Sequence, residues 1–258
     1  MDQDDALDVG VRVGLVSYGV VHLLIAWLGL QMVFGDREGA ASGSGALRQL
    51  AGTDLGRISL FVVVAGLIAL MVWQGLEAAV GHRDEDGGKR TFKRAVSAGK
   101  VVIYGLLGWS ALQIALGEGK SKSTDSYTAQ LMSVPFGAVL VGLVGVGVIV
   151  FAGILAHRGW KEKFLSKLDG SGKTGNDGTA YRYFGKAGYI SKGVAFAIVG
   201  ALFVYAAVTN DPDKSGGLDQ ALLKLLDQPF GPVLLAVVAV GIGCYGLFCF
   251  AWARHLDR

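Results

Sequence analysis

The sequence predicts an all-α integral membrane protein with six transmembrane helices, built as three parallel two-helix repeats with pseudo-threefold symmetry. Three observations predict it. Six long blocks contain no Asp, Glu, Lys or Arg; a signature of glycines and polar residues recurs with those blocks; and the basic residues are divided unequally between alternate connections.

The apolar blocks cover 13–34, 58–76, 101–116, 136–156, 193–209 and 230–253. A helix of about 20 residues crosses the hydrocarbon core of a bilayer. The shortest blocks reach that length once they are extended past Lys100 and Lys192, whose long stems can snorkel to the interface. The expected spans are therefore 13–34, 58–80, 96–116, 136–157, 187–209 and 230–253. Composition agrees: 17% of residues are charged and 52% are apolar, where a soluble domain carries about 25% charged residues.

Fifteen Lys and Arg lie at the termini and in the connections on one side, against seven in the connections on the other. Basic residues are retained on the cytoplasmic face. Both termini are thus expected in the cytoplasm, with the chain in the plasma (inner) membrane. The same distribution makes the net charge of +3 a sign of topology, and nucleic acid is not an expected partner. The first residues, 1–8, are acidic and lack the basic opening of a cleavable leader, so the first block is expected to be a retained helix.

The repeat shows in matched positions. Gly14, Ser17, Gly19 and Val20 recur as Gly188, Ser191, Gly193 and Val194, while Trp27 and Gln31 recur as Trp109 and Gln113. Lys100 matches Lys192. In the second helix of each copy, Gly56 and Gly66 correspond to Gly137 and Gly147, then to Gly231 and Gly241, and Pro135-Phe136-Gly137 matches Pro229-Phe230-Gly231. Because two helices return the chain to the same side, the copies are parallel. Their expected bounds are 1–82, 83–164 and 181–258, with a flexible cytoplasmic linker at 165–180 that is rich in Gly, Ser and Asp. Apolar residues at helical spacing, Leu47, Leu50 and Ala51 in the first copy and Leu218, Ala221, Leu222, Leu225 and Leu226 in the third, predict short amphipathic helices ahead of the second span.

The openings Gly14-Leu15-Val16-Ser17-Tyr18-Gly19 and Gly188-Tyr189-Ile190-Ser191-Lys192-Gly193, together with Pro-Phe-Gly before later spans and three tandem copies, resemble the bacterial membrane family catalogued as domain of unknown function 1206. The resemblance covers essentially the whole chain. It implies a six-helix integral membrane protein and implies no activity. The second copy departs from the pattern, with Ser97-Ala98-Gly99-Lys100 at the opening.

His22 is the sharpest polar feature, near the middle of the first span, and its repeat equivalents are Tyr104 and Phe196. An ionisable group at that depth is a functional candidate. His22 and Tyr104, with Gln74, Gln31 and Gln113, form the candidate intramembrane ligand or proton site. The preferred reading of His22 is a neutral ring hydrogen-bonded to a neighbouring helix or to Tyr18 one turn earlier, and the glutamines are read as inter-helix packing contacts. Lys161, Lys163 and Lys167 are the candidate contacts for anionic lipid. Cys244 and Cys249 are read as small core residues, and no catalytic residue, metal site or cofactor is expected. The expected function is a non-enzymatic binding or scaffold protein, with membrane lipids and other membrane-protein subunits as partners. The alternative is a small transporter or channel with its pocket on the pseudo-threefold axis.

Overall fold

The computed structural model describes residues 3–35, 51–52, 54–81, 87–117 and 124–256. The long helices are α1 (Gln3–Val33), α2 (Asp54–Ala79), α3 (Gly87–Ala115), α5 (Gly137–Trp160), α6 (Gly175–Thr209) and α8 (Gly231–Arg254). Two short helices, α4 (Thr124–Met132) and α7 (Leu218–Leu226), precede α5 and α8. Among the described residues the only β feature is an isolated bridge between Leu168 and Leu256. Among the described residues four helical stretches are long and apolar enough to cross a membrane: Gly14–Val33, Gly137–Trp160, Gly175–Thr209 and Gly231–Arg254. The other two expected spans lie on α2 and α3.

The chain divides into two units, 47–121 on the one hand and 1–46 with 122–258 on the other. In the smaller unit α2 packs on α3, around Leu60, Ile114 and Ala115 with Ala51 against them. In the larger unit α1 packs on α8, α5 on α6, and α6 also on α8. Three of these pairs follow one rule. The second helix of each repeat lies against the first helix of the next, and the last helix of the chain lies against the first.

Register follows the same rule. A Cβ placed on Gly246 would lie 3.1 Å from the Leu23 side chain, and the matched positions in α2 and α3 are Met71 and Gly105, whose contact would be 3.4 Å. A Cβ on Gly19 would stand 2.8 Å from Gly246 O; at the matched positions, one on Gly193 would stand 2.9 Å from Ala152 O. Gly200 accommodates Ile149, whereas the matched pair places Ala26 against Gly243, so the small and large members change sides. Missing Cβ atoms let the backbones approach closely, which is how apolar helices associate when lipid offers no hydrophobic gain. Gly145→Ala is expected to cost about 1–3 kcal/mol, because its Cβ would meet Gly200 O and the Val204 amide at 2.8 Å. Gly147→Ala, with nothing within 4 Å, is expected to be neutral or better. Thermal unfolding of the two variants in one detergent compares them.

The Pro-Phe-Gly motif is a junction. Phe136 and Phe230 adopt left-handed backbone conformations with φ of 62° and 61°, and each turns the chain from a short helix into a long one. A Cβ on Gly137 would run into Leu131 O, and one on Gly231 into Leu226 O, so the next residue must be glycine. The two phenylalanine side chains project outward, 82% and 83% exposed. α7 forms over the predicted apolar stripe and buries Ala221 and Leu222 completely. Leu47 and Leu50 of the first copy lie outside the described residues; Ala51 is helical.

Residues 165–180, expected to be a flexible linker, take defined turns. They hold the end of a 3-10 turn at Lys163–Lys167, a second at Ser171–Lys173, and the start of α6 at Gly175. Phe164, Leu168 and Gly172 are buried. The Asp169 N–H donates to His255 O at 2.9 Å, tying the segment to the end of α8.

Candidate functional site

The side chains that carry chemistry converge at the Arg254 end of the larger unit. Three helical spacings bring them there. Tyr18 and His22 are one turn apart on α1; Tyr189 and Lys192 are one turn apart on α6; Tyr245, Phe248, Cys249 and Trp252 form one face of α8. Gly188 lets α6 approach α8, since a Cβ there would lie 2.5 Å from Tyr245 Cα. The aromatic rings then meet edge to face, the arrangement their quadrupoles favour. Tyr18 and Tyr245 are 6.0 Å apart between centroids, Tyr189 and Tyr245 5.2 Å, and Phe164 and Phe248 5.1 Å. Phe164 stacks on Tyr189 at 5.4 Å.

Two ammonium groups enter this cluster. Lys192 Nζ donates to the Tyr18 hydroxyl at 2.7 Å and stands 4.0 Å from the centre of the Tyr245 ring and 4.8 Å from that of Tyr18. Lys167 Nζ donates to the Tyr189 hydroxyl at 2.9 Å and lies 3.7 Å from the centre of the Trp252 ring. Neither is in an ion pair with another described residue. The aromatic faces favour the cations. For Lys167, outside the spans, burial pushes the pKa down to about 8, and the Arg158 charge adds to that push. Tyr18 and Lys192 occupy matched positions of the repeat, so two equivalent residues touch each other here.

His22 is 6% exposed, and its Nδ1 lies 2.8 Å from Tyr18 O, so a neutral ring protonated there donates to that carbonyl. The ring packs on Tyr18 at 4.3 Å and on Tyr245 at 4.9 Å. Its repeat equivalents have other neighbours. Phe196 meets Phe151 at 5.6 Å. Tyr104 belongs to the smaller unit, where it lines a groove of about 180 Å³ with Met71, Gly105 and Trp109. Gln31 and Gln113 are half-buried, and Gln74 has a buried Oε1 without a hydrogen-bond partner. Lys161 and Lys163 are exposed, unlike Lys167. The sequence reading passed over Lys192, Tyr18, Tyr189 and Tyr245 as site residues. One signal was available: Lys192 interrupts an apolar opening that the first copy fills with Tyr18.

Below the cluster, Asp169 clamps the cytoplasm-predicted turn. Its Oδ1 accepts from the Ser171 hydroxyl and the Gly172 N–H, both at 2.7 Å, and lies 3.4 Å from His255 Nδ1. Ser171 Oγ is also 3.1 Å from that nitrogen. Serine and carboxylate meet the same ring nitrogen, so the three do not form a nucleophile–base–orienter relay. The Ser171 hydroxyl, then Gly172, holds the Asp169 carboxyl below its ordinary value of 3.8. The clamp's contribution should be complete above that value and fade as the pH falls through the lower, folded one. The protection factor of the Gly172 amide should therefore fall at acid pH, and Asp169→Asn should flatten that dependence.

The family described as Domain of Unknown Function (DUF1206) matches residues 13–81, 95–162 and 187–255. The chain is 30% identical over 239 residues to "Uncharacterized protein YxxB" of Bacillus subtilis (strain 168), covering 92% of this chain and 86% of that protein. No solved structure matches.

Proposed function

The chain belongs to the Domain of Unknown Function 1206 family, and from that premise we propose that it is a six-span membrane protein without enzymatic activity, associated with lipid and serving as a scaffold or accessory subunit of a membrane complex. In this reading the three inter-repeat pairs stand around a pseudo-threefold axis, and both termini are cytoplasmic. The shared register of the pairs supports the axis.

The observation that carries lipid association is an open groove of about 610 Å³ between α6 and α8. Ala187, Ile190, Ala236, Val237 and Val240 line it, and Lys186 and Tyr183 stand at the end nearer the basic face. An apolar trough with a cation at one end suits one acyl chain and the head group of an anionic phospholipid. Lys186 also sits 5.3 Å from the Trp160 ring and 3.7 Å from Glu162, which holds it at that mouth.

The test is purification from native membranes in a gentle detergent, with mass spectrometry of retained proteins and lipids. Stoichiometric phospholipid, with or without a protein partner, is the expected result. Recovery free of both would overturn the reading. His22 and Lys192, two ionisable groups within the apolar stretches, favour a second reading as a small transporter or channel. Selective solute flux in proteoliposomes would establish it.

A further inference from the structure

We infer that Lys192, Tyr18 and Tyr245 form a second lipid site, in which the Lys192 ammonium and the Tyr18 hydroxyl bind the phosphate of an anionic phospholipid from the cytoplasmic leaflet. The inference rests on the lipid-associated reading and gives it a head-group position separate from the groove at Lys186.

The charge inventory points there. Lys192 spends one donor on Tyr18 and faces two rings. The ion pairs among the described residues join Arg182 and Lys186 to Glu162, Lys214 to Asp211, and His255 to Asp169; none reaches Lys192. Among the described residues the remaining polar neighbours add no negative charge. His22 on α1 is engaged with Tyr18 O, Tyr245 and Cys249 lie on α8, and Lys167 brings a second cation. A cation inside a bilayer is costly, so such groups take partners or reach the interface. Aromatic faces offset part of that cost. An anion offsets more.

Depth selects the anion. At about 1.5 Å per residue, Lys192 is roughly 26 Å along α6 from Thr209. With that far end at one edge of a core about 30 Å thick, Lys192 lies just inside the opposite edge. A phospholipid phosphate can reach this level with its acyl chains in the membrane. Tyr18 is 43% exposed, so a head group can reach its hydroxyl. Lys192 still has N–H donors beyond the one given to Tyr18, and a phosphate accepts several charge-assisted hydrogen bonds.

The experiment uses the full chain in gentle detergent, loaded with phosphatidylglycerol or phosphatidylcholine and read by native mass spectrometry. The wild type should retain phosphatidylglycerol in preference to phosphatidylcholine. Lys192→Met should weaken retention of the second bound phosphatidylglycerol at least tenfold while the one in the groove stays, Lys192→Arg should keep most of both, and millimolar inorganic phosphate should not displace the lipid. Tyr18→Phe removes one hydroxyl while keeping the ring, so it tests the site even where Lys192→Met unfolds; a several-fold loss is expected. Equal retention by the wild type, Lys192→Met and Tyr18→Phe would overturn the site while leaving lipid association standing. Displacement by inorganic phosphate would overturn the lipid assignment, and a wild type that retains no phospholipid would sink both readings.

Discussion

Gly188→Leu should prevent α6 from seating on α8, so that the protein is recovered as aggregate or unfolds many degrees earlier in mild detergent. Even one added carbon would lie 2.5 Å from Tyr245 Cα and 2.6 Å from its backbone nitrogen. Backbone cannot rotate aside as a side-chain tip can. Gly188→Ala alone is therefore expected to cost about 3 kcal/mol, at the upper end for overpacking. Gly153→Ala on α5 meets nothing within 4 Å and supplies the comparison. A Gly188→Ala variant that melts with the wild type would show that the two helices are not held this closely.

Phe164→Ala should cost about 3–5 kcal/mol, the range for a large aromatic removed from a filled core. Phe164 lies in a 3-10 turn outside the spans, yet its ring is buried between Tyr189 and Phe248. The loss should not stay local, since Lys167 and Leu168 follow on the same turn. Amide exchange across 165–174 should quicken together with α8 near Phe248, and Phe164→Leu should recover part of the stability. Unchanged exchange in that stretch would mean the turn is held by Asp169 alone.

These two residues show what was legible in advance. Gly188 was visible because it matches Gly14 across the repeat, and repetition of a small residue in an apolar helix signals close packing. Phe164 was not. Its surroundings, Lys161 to Lys167 followed by a Gly-, Ser- and Asp-rich run, have the composition of a charged connection, and composition describes only near neighbours. What orders this run comes from far along the chain: His255 O receives the Asp169 N–H, and Phe248 meets the Phe164 ring. The helices were legible for the same reason the turn was not, because a span is specified by its own apolar content.

The candidate site divides similarly. His22 was identified by its type and depth, and the Tyr18 carbonyl one turn back is its partner, as the local reading expected. Lys192 was read as a residue stretching to the interface because its stem is long. Its placement among Tyr18 and Tyr245 depends on how α1, α6 and α8 meet, which no window of sequence contains.

Pairing the last helix with the first sets an order of events during synthesis. Of the helices described, α1 leaves the ribosome first, and the surface it packs on is carried by α8, the last of them. At roughly 5–20 residues per second, the interval between them is on the order of 10–40 s. Throughout that time Gly19 and its neighbours lack the α8 surface they pack on. A chain arrested before α8 would keep α5 with α6 and α2 with α3, but would leave the Gly19 stripe of α1 without its α8 partner, a segment open to quality-control proteases.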